Sequence, residues 1–69
     1  MNKKRFFRLK KGSLVTDTAN RSYIVLERRC DQWLKLHRLF DGETQQVSSE
    51  KTFDNGGNVW DVATLVWEA

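Results

Sequence analysis

A chain of 69 residues with a single cysteine has to hold itself together by packing alone. One thiol forms no internal bridge, and a domain this small buries only roughly 60% of the surface its unfolded chain exposes. Large apolar side chains must therefore do most of the work. The sequence supplies Trp33, Trp60, Trp67, Phe6, Phe7, Phe40, Phe53 and Tyr23, with a good complement of Leu and Val. The lone Cys30 also points to a reducing compartment. One Cys and one His (His37) cannot complete a tetrahedral zinc site, and no residue pattern calls for a cofactor. No run approaches the ~20 apolar residues of a membrane span, and Phe6-Phe7 is followed at once by Arg8, Lys10 and Lys11, which does not fit a secretory signal. The expectation is one cytoplasmic domain without a membrane partner.

Turn-forming residues divide the chain into strand-length pieces. Gly12 precedes the first strand, Asp41-Gly42 suits a two-residue hairpin turn of type I′, and Asn55-Gly56-Gly57-Asn58 makes a second clear break. Between them the residues favour strands: Ser13 to Asp17, Tyr23 to Glu27, the alternating Trp33 to Phe40, and Thr44 to Ser49. Near the end, Val59, Val62, Ala63, Val66 and Trp67 trace one helical face, but their Val, Trp and Thr content suits a strand. The reading adopted is a helical turn over Trp60 to Thr64 and a final strand over Leu65 to Glu68, with a full helix as the alternative.

This order of pieces resembles the SH3-like barrels of the KOW and Tudor type, including those of small bacteriophage proteins. The matching stretches are Gly12-Ser13-Leu14-Val15, Tyr23-Ile24-Val25-Leu26-Glu27, Trp33-Leu34-Lys35-Leu36 leading to Asp41-Gly42, and Leu65-Val66-Trp67-Glu68. The resemblance implies an all-β, five-stranded small barrel over residues 12–69, with a short helical turn before the last strand. Residues 1–11 then form a basic arm or a first edge strand. It also implies a binding role, since such barrels engage RNA, DNA, peptides or other protein surfaces.

Charge is distributed unevenly. Residues 1–11 carry +6, residues 12–40 carry +2 and residues 41–69 carry −5. The first region invites polyanions, and the last invites a basic protein surface or the chain's own arm. Lys3, Lys4, Arg5, Phe6, Arg8, Lys10 and Lys11 interleave cations with aromatics, the combination that engages phosphates and stacks on unpaired bases. Arg28 and Arg29 extend this candidate surface for DNA or RNA, and Arg21, Lys35 and Arg38 join it if their loops and faces converge. The bland alternative places Phe7 and Leu9 in the core and leaves a solvated basic edge. A different class of function is a protein-interaction module, a phage-type inhibitor or adaptor that docks on a larger host protein. Its face would be Asp54, Trp60, Asp61, Trp67 and Glu68, where acids surround tryptophans that suit binding hot spots. A third is a structural subunit that pairs through the polar edge Thr44 to Ser49. Catalysis is not expected. Cys30, flanked by Arg28, Arg29 and Asp31, and His37, between Leu36 and Arg38, are the only nucleophile and base of that kind, and both read as ordinary strand or turn residues.

Overall fold

The computed structural model describes residues 1–48 and 63–69. Five strands form one antiparallel sheet: β1 (Leu14–Thr16), β2 (Ser22–Cys30), β3 (Trp33–Arg38), β4 (Thr44–Ser48) and β5 (Thr64–Trp67). Their order is β4-β3-β2-β1-β5, so the chain meanders from β1 to β4 and then returns to lay β5 beside β1. The all-β, five-stranded expectation is met. The barrel expectation is corrected: the sheet is not a closed barrel, and among the described residues β4 and β5 are its two edges rather than paired to each other. The helical turn proposed over Trp60 to Thr64 and the strand end at Ser49 lie wholly or partly outside the described residues. Thr64–Trp67 is strand, so the full helix does not extend through these residues.

Strand periodicity explains which side chains enter the core. Val15, Tyr23 with Val25, Leu34 with Leu36, and Val47 lie on one face, and cross-strand partners Val15–Tyr23, Val25–Leu36 and Leu34–Val47 match them across the ladder. Leu14, Ile24, Trp33, Lys35 and His37 occupy the opposite face and are half-buried. The nine-residue β2 passes two register shifts, between Val25 and Glu27 and between Arg28 and Cys30. Extra residues of this kind bend a strand and increase its twist.

The principal departure from the sequence reading is the start of the chain. Residues Lys3–Phe6 form a single helical turn, α1, rather than an edge strand. Two consecutive phenylalanines account for this. In a strand Phe6 and Phe7 point to opposite faces and only one reaches the core, whereas on a helical turn both tilt inward. Both rings are buried and meet edge-on, 5.2 Å apart at 88°, and Leu9 follows them into the same cluster. The Asn2 side chain caps the turn by accepting a hydrogen bond from the Arg5 N–H at 2.8 Å. A one-turn helix has no independent stability. Burial of the two rings holds it, together with the hydrogen bond from Met1 N to the Ala63 carbonyl at 3.1 Å.

The Asp41-Gly42 hairpin is longer than expected. Only Gly42 of the pair adopts positive φ (73°), so the turn is not type I′. Leu39 to Gly42 form a four-residue loop closed by Arg38 N to Glu43 O (2.8 Å) and Gly42 N to Arg38 O (2.9 Å). As a result Leu39 and Phe40 leave the strand pattern and are exposed, Phe40 to 84%.

Candidate nucleic-acid interface

Phe6 and Phe7 fix the position of the cations around them. With the rings in the core, Lys3, Lys4 and Arg5 on α1 and Arg8, Lys10 and Lys11 beyond it are all exposed. Phe6 itself is fully buried, so its expected role as a base-stacking aromatic is corrected: it anchors the cations and is inaccessible to a ligand. The segment ends in a tight bend. Ser13 N donates to the Lys10 carbonyl, Gly12 N donates to the Val25 carbonyl, and Gly12 adopts φ of 96°. Lys10 and Lys11 are thereby set at the start of β1, next to the end of β5, where Ala69 N donates to the buried Ser13 hydroxyl at 3.1 Å.

The basic residues differ in what they face. Arg5 pairs with Glu68 (2.8 Å), Arg21 with Asp17 (2.8 Å), Arg28 with Asp31 (2.9 Å) and Arg29 with Glu27 (3.5 Å). Arg38 forks onto Asp41 (2.6 Å) and also reaches Glu43. Lys4, Arg8, Lys10 and Lys11 have no carboxylate partner among the described residues. The arm therefore keeps a set of available cations, while Arg28 and Arg29 each hold a local acid at the far end of β2. Arg29 additionally lies over the Trp33 ring, 5.4 Å from its centroid. Lys35 occupies the sheet face opposite the core, and Arg21 and Arg38 belong to the turn network described next. Arg21 and Arg38 lie at the end of the sheet away from the arm, whereas Arg28 and Arg29 follow Val25, which accepts from Gly12 N, at the end where Lys10 and Lys11 precede β1.

That turn network was not foreseen from the sequence. The buried Asp17 carboxylate accepts hydrogen bonds from the Ala19 N–H (2.9 Å), the Arg21 N–H (3.0 Å), Arg21 Nε (2.8 Å) and the Tyr23 hydroxyl (3.1 Å). Burial alone raises its pKa, but the bonds from Arg21, Tyr23 and Ala19 outweigh that and hold the carboxyl below its ordinary 3.8. Burial, then the Asp17 charge, pushes the Tyr23 phenol up. On the adjoining loop, the hydrogen bond from Arg38, with a second from the Glu43 N–H, lowers Asp41 to about 2. The sequence signal for this hub is Asp17-Thr18-Ala19-Asn20, an Asx-type turn in which Asn20 takes φ of 63°.

Of the alternative acidic face, Asp54, Trp60 and Asp61 lie outside the described residues. Trp67 is 59% exposed and opposite Leu14 on the outer face of edge strand β5. Glu68 turns toward α1 and engages Arg5, so part of the acidic region does meet the chain's own arm. Asn2, Lys4, Arg5, Arg8 and Glu68 together bound an open depression of about 260 Å3.

Cys30 is exposed at the end of β2, opposite Trp33, and His37 lies four residues further along β3. At ~3.3 Å per residue the two are roughly 13 Å apart along the strands, beyond hydrogen-bond reach. Among the described residues no group of three or more His, Cys, Asp or Glu is arranged to hold a metal ion, and no helix is long and apolar enough to cross a membrane. No protein-family model, curated protein or solved structure matches the chain.

Proposed function

We propose that this chain is a small non-catalytic binding module that engages DNA or RNA through the cations of its first eleven residues. The observation that carries this reading is the contrast in pairing. Lys4, Arg8, Lys10 and Lys11 are exposed without carboxylate partners among the described residues, whereas the arginines of the loops and of β2 and β3 are each matched to an acid. Unpaired cations release counterions from a phosphate backbone when they bind it, which gives sequence-independent affinity. The buried Phe6-Phe7 anchor favours this by holding four flexible side chains on a fixed base.

The architecture supports reading the domain as an open relative of the SH3-like barrels. The order β4-β3-β2-β1-β5 and a long β2 bent by two bulges are the features that support it. That likeness alone does not select a ligand.

A second reading, docking on a larger host protein, draws on one observation: Val66 and Trp67 are more than half exposed on an edge strand. Exposed Trp at a sheet edge suits a hot spot for a protein partner. The cation set favours the first reading. The direct test is binding of the purified protein to fluorescent single- and double-stranded DNA and RNA at low salt. Retention of any of these supports the module; absence of binding to all of them removes the nucleic-acid reading and leaves the Trp67 edge to be tested by Trp67→Ala in a host-protein capture.

A further inference from the structure

Glu68 sits among the cations of the arm. Its carboxylate lies 2.8 Å from Arg5 Nη2, and it shares the walls of the depression with Lys4, Arg8 and Asn2. Its backbone is held on both sides: Trp67 pairs with Leu14 in the ladder, and Ala69 N donates to Ser13 Oγ. A carboxylate presented from a fixed strand end to Arg5, with Lys4 and Arg8 lining the same depression, has the charge and hydrogen-bonding character of a phosphodiester oxygen pair.

We propose that Glu68 is an internal competitor for the arm, occupying on Arg5 the position that a backbone phosphate of the bound nucleic acid takes. This rests on the nucleic-acid reading and adds a regulation to it. The Arg5–Glu68 pair is half exposed on both sides, so it is weak and exchangeable, as a contact displaced by ligand must be. Binding then exchanges one carboxylate for one phosphate at Arg5, and the carboxylate is released to solvent. The bare arm is restrained from holding every polyanion it meets, and a strand able to displace Glu68 is held by one more contact.

The test uses the full chain and a labelled oligothymidylate of about 20 nucleotides, longer than the site of one small β module. Glu68→Gln removes the competitor, and Asp31→Asn removes an equal charge from the Arg28 pair at the end of β2. Glu68→Gln should bind about threefold to tenfold more tightly than the parent at low salt. Its log–log salt slope should steepen by about 0.7, the contribution of one added phosphate contact on a single strand. Asp31→Asn should leave the slope unchanged, and Arg5→Ala placed on Glu68→Gln should cancel the gain. If Glu68→Gln and Asp31→Asn behave alike in affinity and slope, the competitor role is overturned while the nucleic-acid reading stands. If no variant, the parent included, shows salt-dependent binding, the nucleic-acid reading fails and the competitor role fails with it. Thermal melts check the fold, which substitutions at these exposed positions should leave intact.

Discussion

The two ends of this sheet use charge differently. Where β1 turns into β2 and β3 turns into β4, Asp17, Arg21, Arg38, Asp41 and Glu43 are bound to one another, with the Tyr23 hydroxyl donating to Asp17. Leu39 N also donates to the Ser22 carbonyl, tying the two turns together. Every charge there is spent on local structure. At the other end Arg5 meets Glu68 and the β2–β3 turn pairs Arg28 with Asp31, but α1 and the bend before β1 also display Lys4, Arg8, Lys10 and Lys11, which have no carboxylate partner among the described residues. The same residue types therefore all serve the fold at one end, whereas at the other four of them lack a carboxylate partner among the described residues. What separates the cases is the partner, not the charge.

The largest expected effect comes from removing the anchor beneath the available cations. Phe6→Ala empties a fully buried site and should cost about 3–5 kcal/mol. A chain of this size has in total only about 3–10 kcal/mol of stability, so urea denaturation should find the variant largely unfolded. A native-like transition midpoint would show that Phe6 is not a core residue and would restore it as a candidate for stacking.

Next in size is the hub of the paired end. Asp17→Ala leaves the Tyr23 hydroxyl, Arg21 and two backbone N–H groups short of an acceptor, and should cost about 1–3 kcal/mol by the same measurement. The acid response carries the same information. Asp17 and Asp41 both have folded pKa values below their unfolded ones, so each contributes stability that is present above about pH 4. That contribution is lost as pH falls through the folded values, toward about 2 for Asp41. Asp17→Ala should therefore lose less stability than the parent over this window. An equal loss in both would show that the hub is not what acid dissolves.

Smaller still are substitutions at exposed pairs. Arg28→Ala with Arg29→Ala removes two surface ion pairs of about 0–1 kcal/mol each and should leave nucleic-acid affinity nearly unchanged. A marked fall in affinity would move these arginines back into the interface, where the sequence reading placed them.

Much of the sheet is visible in the sequence because alternation and turn residues mark strands locally. Ser13 to Asp17, Tyr23 to Glu27, Trp33 to Phe40, Thr44 to Ser49 and Leu65 to Glu68 each overlap an observed strand by most of its length. The errors have physical sources. Alternation over Trp33 to Phe40 places Phe40 on the face of Leu34 and Leu36, but the four-residue loop ends the strand at Arg38. Arg38 grips Asp41 and Glu43 across that loop, a contact between side chains that local pattern does not report. α1 was missed because a single turn has no period to detect; Asn2 as a cap and the Phe6-Phe7 pair were its only traces. Of the candidate interface, the cation cluster was legible as a run of charge. Which cations are spoken for was not, because pairing depends on residues such as Glu68, which is 63 positions from Arg5.

The most direct test of the account is the salt dependence of oligonucleotide binding for the parent and for the variant with Lys4, Arg8, Lys10 and Lys11 all replaced by Ala. These side chains are exposed, so the fold should survive their loss. The account predicts a steep log–log slope for the parent and a variant that binds far more weakly with a slope shallower by about 3, for four lost single-strand phosphate contacts. Equal affinities and equal slopes would contradict it, because the unpaired cations would then have no part in binding.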